Sequence, residues 1–156
     1  MITITIKTAS LLSDIRIKSQ MNTERIKDPD ERYAVRAGEE NNAEVMESLQ
    51  EAWRAMKGLC RRFLVTTDDA TGSDIFDNST TDKTLSLDVT ERRTSNIGEA
   101  LSQAMHNYLV NGTLRRFYTS AVMADLVTLY ASAENAARDE IVLLLYRKLE
   151  PVYSES

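Results

Sequence analysis

The stretch from Ile97 to Leu149 constrains this chain most. Apolar residues recur there every three or four positions, the spacing of helices that bury a stripe. Asn96 followed by Glu99 gives an approximate capping box, with Ile97 opening the first helix. That helix is predicted to run to about Val110 and to stop at Asn111-Gly112, a pair suited to a left-handed C-terminal cap. Thr113 then starts the next, and Leu114, Phe117, Tyr118, Ala121, Val122, Leu126, Leu129 and Tyr130 form its wide apolar face. Ser132-Ala133-Glu134 either caps a further helix or lies inside an unbroken one. Ile141, Leu144, Leu145 and Leu149 carry the stripe to a stop at Pro151, and Val142, Leu143 and Tyr146 widen it beyond a single face. A helix apolar on most sides is buried on most sides. In a small domain such a helix is either central or covered by a neighbouring subunit.

The rest of the chain reads as mixed structure ahead of this block. Ile2, Ile4 and Ile6 alternate with Thr3 and Thr5, a β-branched period-two run that predicts a short strand. Thr8 or Ser10 caps a short helix whose apolar face holds Leu11, Leu12, Ile15 and Met21. Asp28-Pro29-Asp30-Glu31 is a strong helix start, with proline at the first helical position and acids at the positive end. The helix it opens is predicted to reach about Arg62 through Gly38 and Gly58, with apolar steps of three and four from Val45 onward. Phe63-Leu64-Val65 and Thr84 to Thr90 predict a β-hairpin, joined by a long Asp-rich tip. An isolated hairpin is marginal, so it is expected to pack on the helices or to pair with the N-terminal strand. The fold class is mainly α: a helical bundle with a long-tipped β-hairpin and a short N-terminal β-strand. The 156 residues fit a single domain, with strand and helices over 1–66, an acidic hairpin insert over 67–94 and the apolar helical block over 95–150.

Composition narrows the chemistry. Cys60 is the only cysteine, so no intramolecular disulfide framework exists, and a reducing compartment is favoured. His106 is the only histidine. No phosphate-cradling loop and no HExxH, GxSxG or CxxC pattern occurs. A Cys60–His106 pair has the elements of acyl transfer. Cys60 nevertheless reads as a small apolar core residue on its helix, and His106 as a helix-edge residue. Asp68, Asp69, Asp74, Asp77 and Asp82 lack the ligand spacing of a calcium-binding loop and read as a solvated tip that orders on meeting a partner. Glu44, Glu47 and Glu51 share a helix face without the Glu-x-x-His pattern of di-iron bundles, and read as a solvated acidic face. No catalytic residue, metal or cofactor is expected.

Surfaces for other molecules are more plentiful. The net charge of −5 comes mainly from residues 67–94, which carry 3 basic and 7 acidic groups, and no segment has the basic excess that drives binding to nucleic acid. Three arginine pairs, Arg61-Arg62, Arg92-Arg93 and Arg115-Arg116, lie near element boundaries. Guanidinium forks suit carboxylates or phosphates. With acid abundant, carboxylates across a subunit interface are the favoured partners, nucleic-acid backbone the less favoured ones, and ordinary surface arginine the plain alternative. Tyr108, Phe117, Tyr118 and Tyr130 read as core rather than as a base-stacking surface. The partner interface is therefore assigned to Ile2, Ile4, Ile6, Arg61, Arg62, Arg92, Arg93, Arg115 and Arg116. No run approaches the ~20 apolar residues of a membrane-spanning helix. Met1 to Lys7 lacks the form of a signal peptide, so the protein is expected to stay in the cell that makes it.

The layout carries a resemblance. It rests on 96–151, above all Leu114-Arg-Arg-Phe-Tyr-Thr-Ser120 and Asp139-Glu-Ile-Val-Leu-Leu-Leu-Tyr-Arg-Lys-Leu-Glu-Pro151, with Ser13-Asp-Ile-Arg-Ile-Lys-Ser19 near the start. An acid-capped helix, a hairpin with an acidic loop and an apolar helical block resemble head–tail connector (adaptor) or neck proteins of tailed bacteriophages and prophages. The resemblance implies a non-enzymatic structural protein in an oligomeric ring at the portal or tail, in the virion or the host cytoplasm. Its partners would be copies of itself and other virion proteins. A small helical nucleic-acid-binding or regulatory module is the alternative.

Overall fold

A computed structural model describes residues 2–24, 36–37, 41–65, 82–89, 97–121 and 123–146. Among them the fold is mainly helical, four helices with a two-stranded antiparallel sheet. The order is β1 (Ile2–Ile6), α1 (Thr8–Thr23), α2 (Asn42–Leu59), β2 (Lys83–Leu87), α3 (Ile97–Ser120) and α4 (Ala124–Tyr146).

The sheet joins the N-terminal strand to a strand in the middle of the chain. β1 pairs antiparallel with β2, setting Ile2 against Leu87, Ile4 against Leu85 and Ile6 against Lys83. β-branched residues suit this pleated, half-buried position. Ile4, Ile6, Leu85 and Leu87 are buried, while Thr3 and Thr5 face outward. The predicted hairpin stem is present at Leu64, which bridges Leu87 from the other edge of β2. Val65 N–H donates to the Ser86 carbonyl at 3.0 Å and Asp88 N–H to that of Phe63 at 2.7 Å. The hairpin tip, including Asp68, Asp69, Asp74 and Asp77, lies outside the described residues, as do Arg92 and Arg93.

The helix at the centre is α3, which touches α1, α2, α4 and β1 and is buried on all sides through its middle, while Glu99, Gln103 and Asn107 are exposed nearer its start. Seven consecutive residues, Tyr108 to Leu114, are buried. α4 is peripheral and buries one stripe: Leu126, Tyr130, Glu134, Ala137, Ile141 and Leu145, at steps of three and four. α2 buries Val45, Met46, Leu49, Ala52, Trp53 and Met56. Each fully buried large apolar side chain contributes roughly 1.5–3 kcal/mol.

Several predicted boundaries differ. The helix expected from Pro29 is not continuous, because Arg36 and Ala37 are non-helical and α2 starts at Asn42. Ala37 is instead buried against α1, its N–H donating to Ser19 Oγ at 2.8 Å. Arg36 Nε donates to Thr23 Oγ1 at 2.9 Å. The stop expected at Asn111-Gly112 does not occur, and α3 runs through it. Asn111 Nδ2 donates to the Asn107 carbonyl and Thr113 Oγ1 to that of Leu109, so these side chains bond within the helix. Tertiary burial outweighs the ~1 kcal/mol propensity cost of glycine. The break falls instead after Ser120, where Ala121 and Met123 are non-helical and Met123 N–H reaches the Tyr118 carbonyl. α4 then continues unbroken past Ser132.

α1 is longer than expected and more polar on its buried side. Leu11, Leu12 and Ile15 are buried as predicted, but Met21 is 69% exposed. Ser19 and Thr23 take the buried positions. Ser19 Oγ and Tyr118 OH share a hydrogen bond of 2.5 Å, and Asn22 Nδ2 donates to Tyr130 OH at 2.5 Å. The two tyrosine rings stack with centroids 5.7 Å apart. Burial pushes the phenol of Tyr130 up to about 12 and that of Tyr118 upward as well. A phenol whose folded pKa exceeds its unfolded value of about 10 stabilises the native state fully below pH 10. That contribution is lost as pH rises through 12. The urea midpoint is therefore expected to hold steady to about pH 10 and to fall between there and pH 12. A midpoint constant across that window would contradict the buried tyrosine cluster.

Candidate functional site

The residues able to do chemistry are dispersed. Cys60 ends α2, fully buried, and burial pushes its thiol up to about 12, which removes the thiolate a nucleophile needs. His106 on α3 does not turn to it: its Nε2 lies 2.5 Å from Asp14 Oδ2 on α1. This pair borders a cleft of about 270 Å³ with Lys7, Ser10, Ser102 and Gln103. Among the described residues no group of three His, Cys, Asp or Glu side chains is placed to hold a metal ion. Glu44, Glu47 and Glu51 are exposed and line an open groove of about 260 Å³ beside Arg116 and Phe117. Tyr108, Phe117, Tyr118 and Tyr130 all belong to the core, so they offer no stacking surface.

Arg115 and Arg116 are engaged inside the chain. Glu134 sits in the buried stripe of α4, and its carboxylate receives Arg115 Nε and, at 3.3 Å, Arg116 Nη1. Arg116 Nη1 also donates to the Gly112 carbonyl at 3.0 Å, and its Nε lies 3.7 Å from Glu51. The hydrogen bond to Glu134 holds the Arg115 guanidinium above its ordinary range, despite burial. Gly112 makes room for this clamp, because a Cβ there would lie 3.0 Å from Arg116 Nη1 and 3.3 Å from Glu134 Oε1. The carboxylate partner expected across an interface is thus Glu134 of the same chain. Its signal in the sequence was a lone acid inside an apolar stripe. Arg61 and Arg62 are exposed in the turn after α2.

The isoleucine strand offers its backbone rather than its side chains. In an antiparallel strand the N–H and C=O of one residue point to the same edge, and alternate residues point to opposite edges. Ser86 and Asp88 bond to the 63–65 segment, so Lys83, Leu85 and Leu87 bond to β1. Ile2, Ile4 and Ile6 are their partners, which leaves the N–H and C=O of Thr3 and Thr5 on the other edge of β1. Among the described residues no strand pairs with that edge.

The second open surface is the outer side of α4. Leu129 and Leu143 are each 51% exposed, and Val142 and Tyr146 add to them. Tyr146 meets Phe63 edge to face at 5.2 Å, which ties this end of α4 to the hairpin stem. Among the described residues no helix is long and apolar enough to cross a membrane. Comparison with models of protein families, with curated proteins and with solved structures finds no match to this chain.

Proposed function

We propose that this chain is a non-enzymatic structural subunit that joins copies of itself and docks into a larger assembly. The type is that of the phage head–tail connector or neck proteins its sequence resembles. The reading rests on the outer face of α4. Val142, Leu143 and Tyr146 are exposed within about one helical turn of each other, Tyr146 in edge-to-face contact with Phe63. A contiguous exposed apolar patch marks a contact site more often than single scattered residues do. The same block that reads as over-wide in sequence is therefore covered on one side by α3 and on the other by a neighbour. The fate of Cys60, His106 and the arginines of α3 supports this reading, since intrachain packing occupies each of them. Partners are further copies and other virion proteins, and the location is the virion or the host cytoplasm.

Leu143→Glu tests the surface without touching the core. Exposed substitutions usually change stability by no more than about 0.5 kcal/mol. The variant is expected to keep the wild-type melting temperature and to show a lower mass by light scattering wherever wild type exceeds the 17.6 kDa of one chain. An unchanged oligomer mass would remove α4 from the contact.

A further inference from the structure

We propose that the open edge of β1 pairs with the same strand of a second copy of this chain, antiparallel about a twofold axis at Ile4. The inference rests on the self-association reading but uses a different surface. β1 reads Ile-Thr-Ile-Thr-Ile, the same from either end. A twofold contact requires a surface complementary to itself, and a palindromic strand meets that requirement. Pairing about Ile4 sets Ile2 against Ile6 of the second copy, Thr3 against Thr5, and Ile4 against Ile4.

The main-chain directions and full overlap of the five residues select this register. Thr3 and Thr5 carry the outward N–H and C=O groups. Centred on Ile4, Thr3 of one copy and Thr5 of the other form the hydrogen-bonded pairs, and Ile4 meets Ile4 as the closer, non-bonded pair. Every outward group of the two threonines then finds a partner. A slip of one residue would put isoleucine opposite threonine and aim donors past their acceptors.

The side chains agree with it. Ile4 and Ile6 are 2% exposed on the core side, so the joined sheet keeps one apolar face toward the helices and one threonine face outward. Edge strands commonly avoid pairing through charge or proline, and β1 has neither. A two-stranded ribbon is marginal, and the pair widens it to four strands in the order β2–β1–β1–β2. Together with a ring contact through α4, a twofold contact closes two stacked rings with an even number of copies.

Three variants test the pairing by sedimentation equilibrium over a wide concentration series. Thr5→Pro removes only an outward N–H, because the β1–β2 ladder uses Ile2, Ile4 and Ile6. It is expected to keep the wild-type circular dichroism spectrum and melting temperature, and to raise the dissociation constant at least about tenfold. Thr3→Lys/Thr5→Lys places like charges opposite each other in this register and is expected to halve the wild-type mass. Thr3→Lys/Thr5→Glu places opposite charges there and is expected to keep the wild-type mass. Equal masses for the two double variants would overturn the register. An oligomer that none of the three weakens would overturn the pairing while leaving self-association standing. A wild-type chain that stays at 17.6 kDa throughout would overturn both.

Discussion

Trp53→Ala is expected to lower the stability of this domain by about 3–5 kcal/mol. Trp53 is 1% exposed and is the largest of the fully buried side chains. It lies on the apolar stripe of α2 between Leu49 and Met56, both fully buried. Truncation to alanine removes its apolar surface from the core and leaves a cavity that neighbours fill only in part. Small domains are stable by only about 5–15 kcal/mol, so the variant retains a modest margin or none. Urea unfolding followed by circular dichroism measures the change, since the variant has lost the chain's only tryptophan. A cost under about 1 kcal/mol, in the range of an ordinary substitution, would place Trp53 outside the core.

Glu134→Ala is expected to cost about 2–3 kcal/mol, for a different reason. The Glu134 side chain is 9% exposed and meets two guanidiniums from α3. Removing it leaves Arg115 and Arg116 without their shared carboxylate. Breaking a buried pair in this way costs up to 3–5 kcal/mol. The cost is lower here because the arginine side chains retain 31% and 17% exposure, and Arg116 keeps its contacts to Glu51 and to the Gly112 carbonyl. Replacing all three by apolar residues, in Arg115→Met/Arg116→Met/Glu134→Leu, is expected to recover most of the loss, because no buried charge is then left unpaired. Thermal unfolding of both variants provides the comparison. A triple variant no more stable than the single one would show that the clamp stabilises through the ion pairs themselves.

What the sequence disclosed depended on how local its causes are. The isoleucine strand, the stripe of α2 from Val45 and the aromatic core all follow from spacing and side-chain size, and each was legible. Asn111-Gly112 was misread because glycine serves two ends. It caps helices, and here it leaves space inside one for Arg116 and Glu134. Nothing so strong as glycine or proline marks the real break after Ser120. The weaker sign is Thr119 and Ser120, whose hydroxyls bond back to the Arg115 and Arg116 carbonyls in the last turn of α3. The width of the apolar pattern around Leu143 was legible, but not which helix lies at the centre. That depends on which neighbours surround each helix, and α3 holds the centre because β1, α1, α2 and α4 all pack on it.

The contact residues divide in the same way. Ile2, Ile4 and Ile6 were assigned to the partner interface as a strand that adds to a neighbour's β-edge; Ile4 and Ile6 are buried in their own chain, and among the described residues no strand pairs with the Thr3 and Thr5 edge. Arg115 and Arg116 were read with the correct partner chemistry, but Glu134 comes from the helix that follows them. Only the fold brings Asp14 against His106, or Ser19 against Tyr118, across more than ninety residues of sequence.

Self-association is the central claim, and the mass of the unmodified chain in solution tests it most directly. Light scattering after size exclusion, run across a concentration series, is expected to give a mass above 17.6 kDa that rises with concentration to a discrete multiple of it. A mass fixed at 17.6 kDa at every concentration would contradict the account.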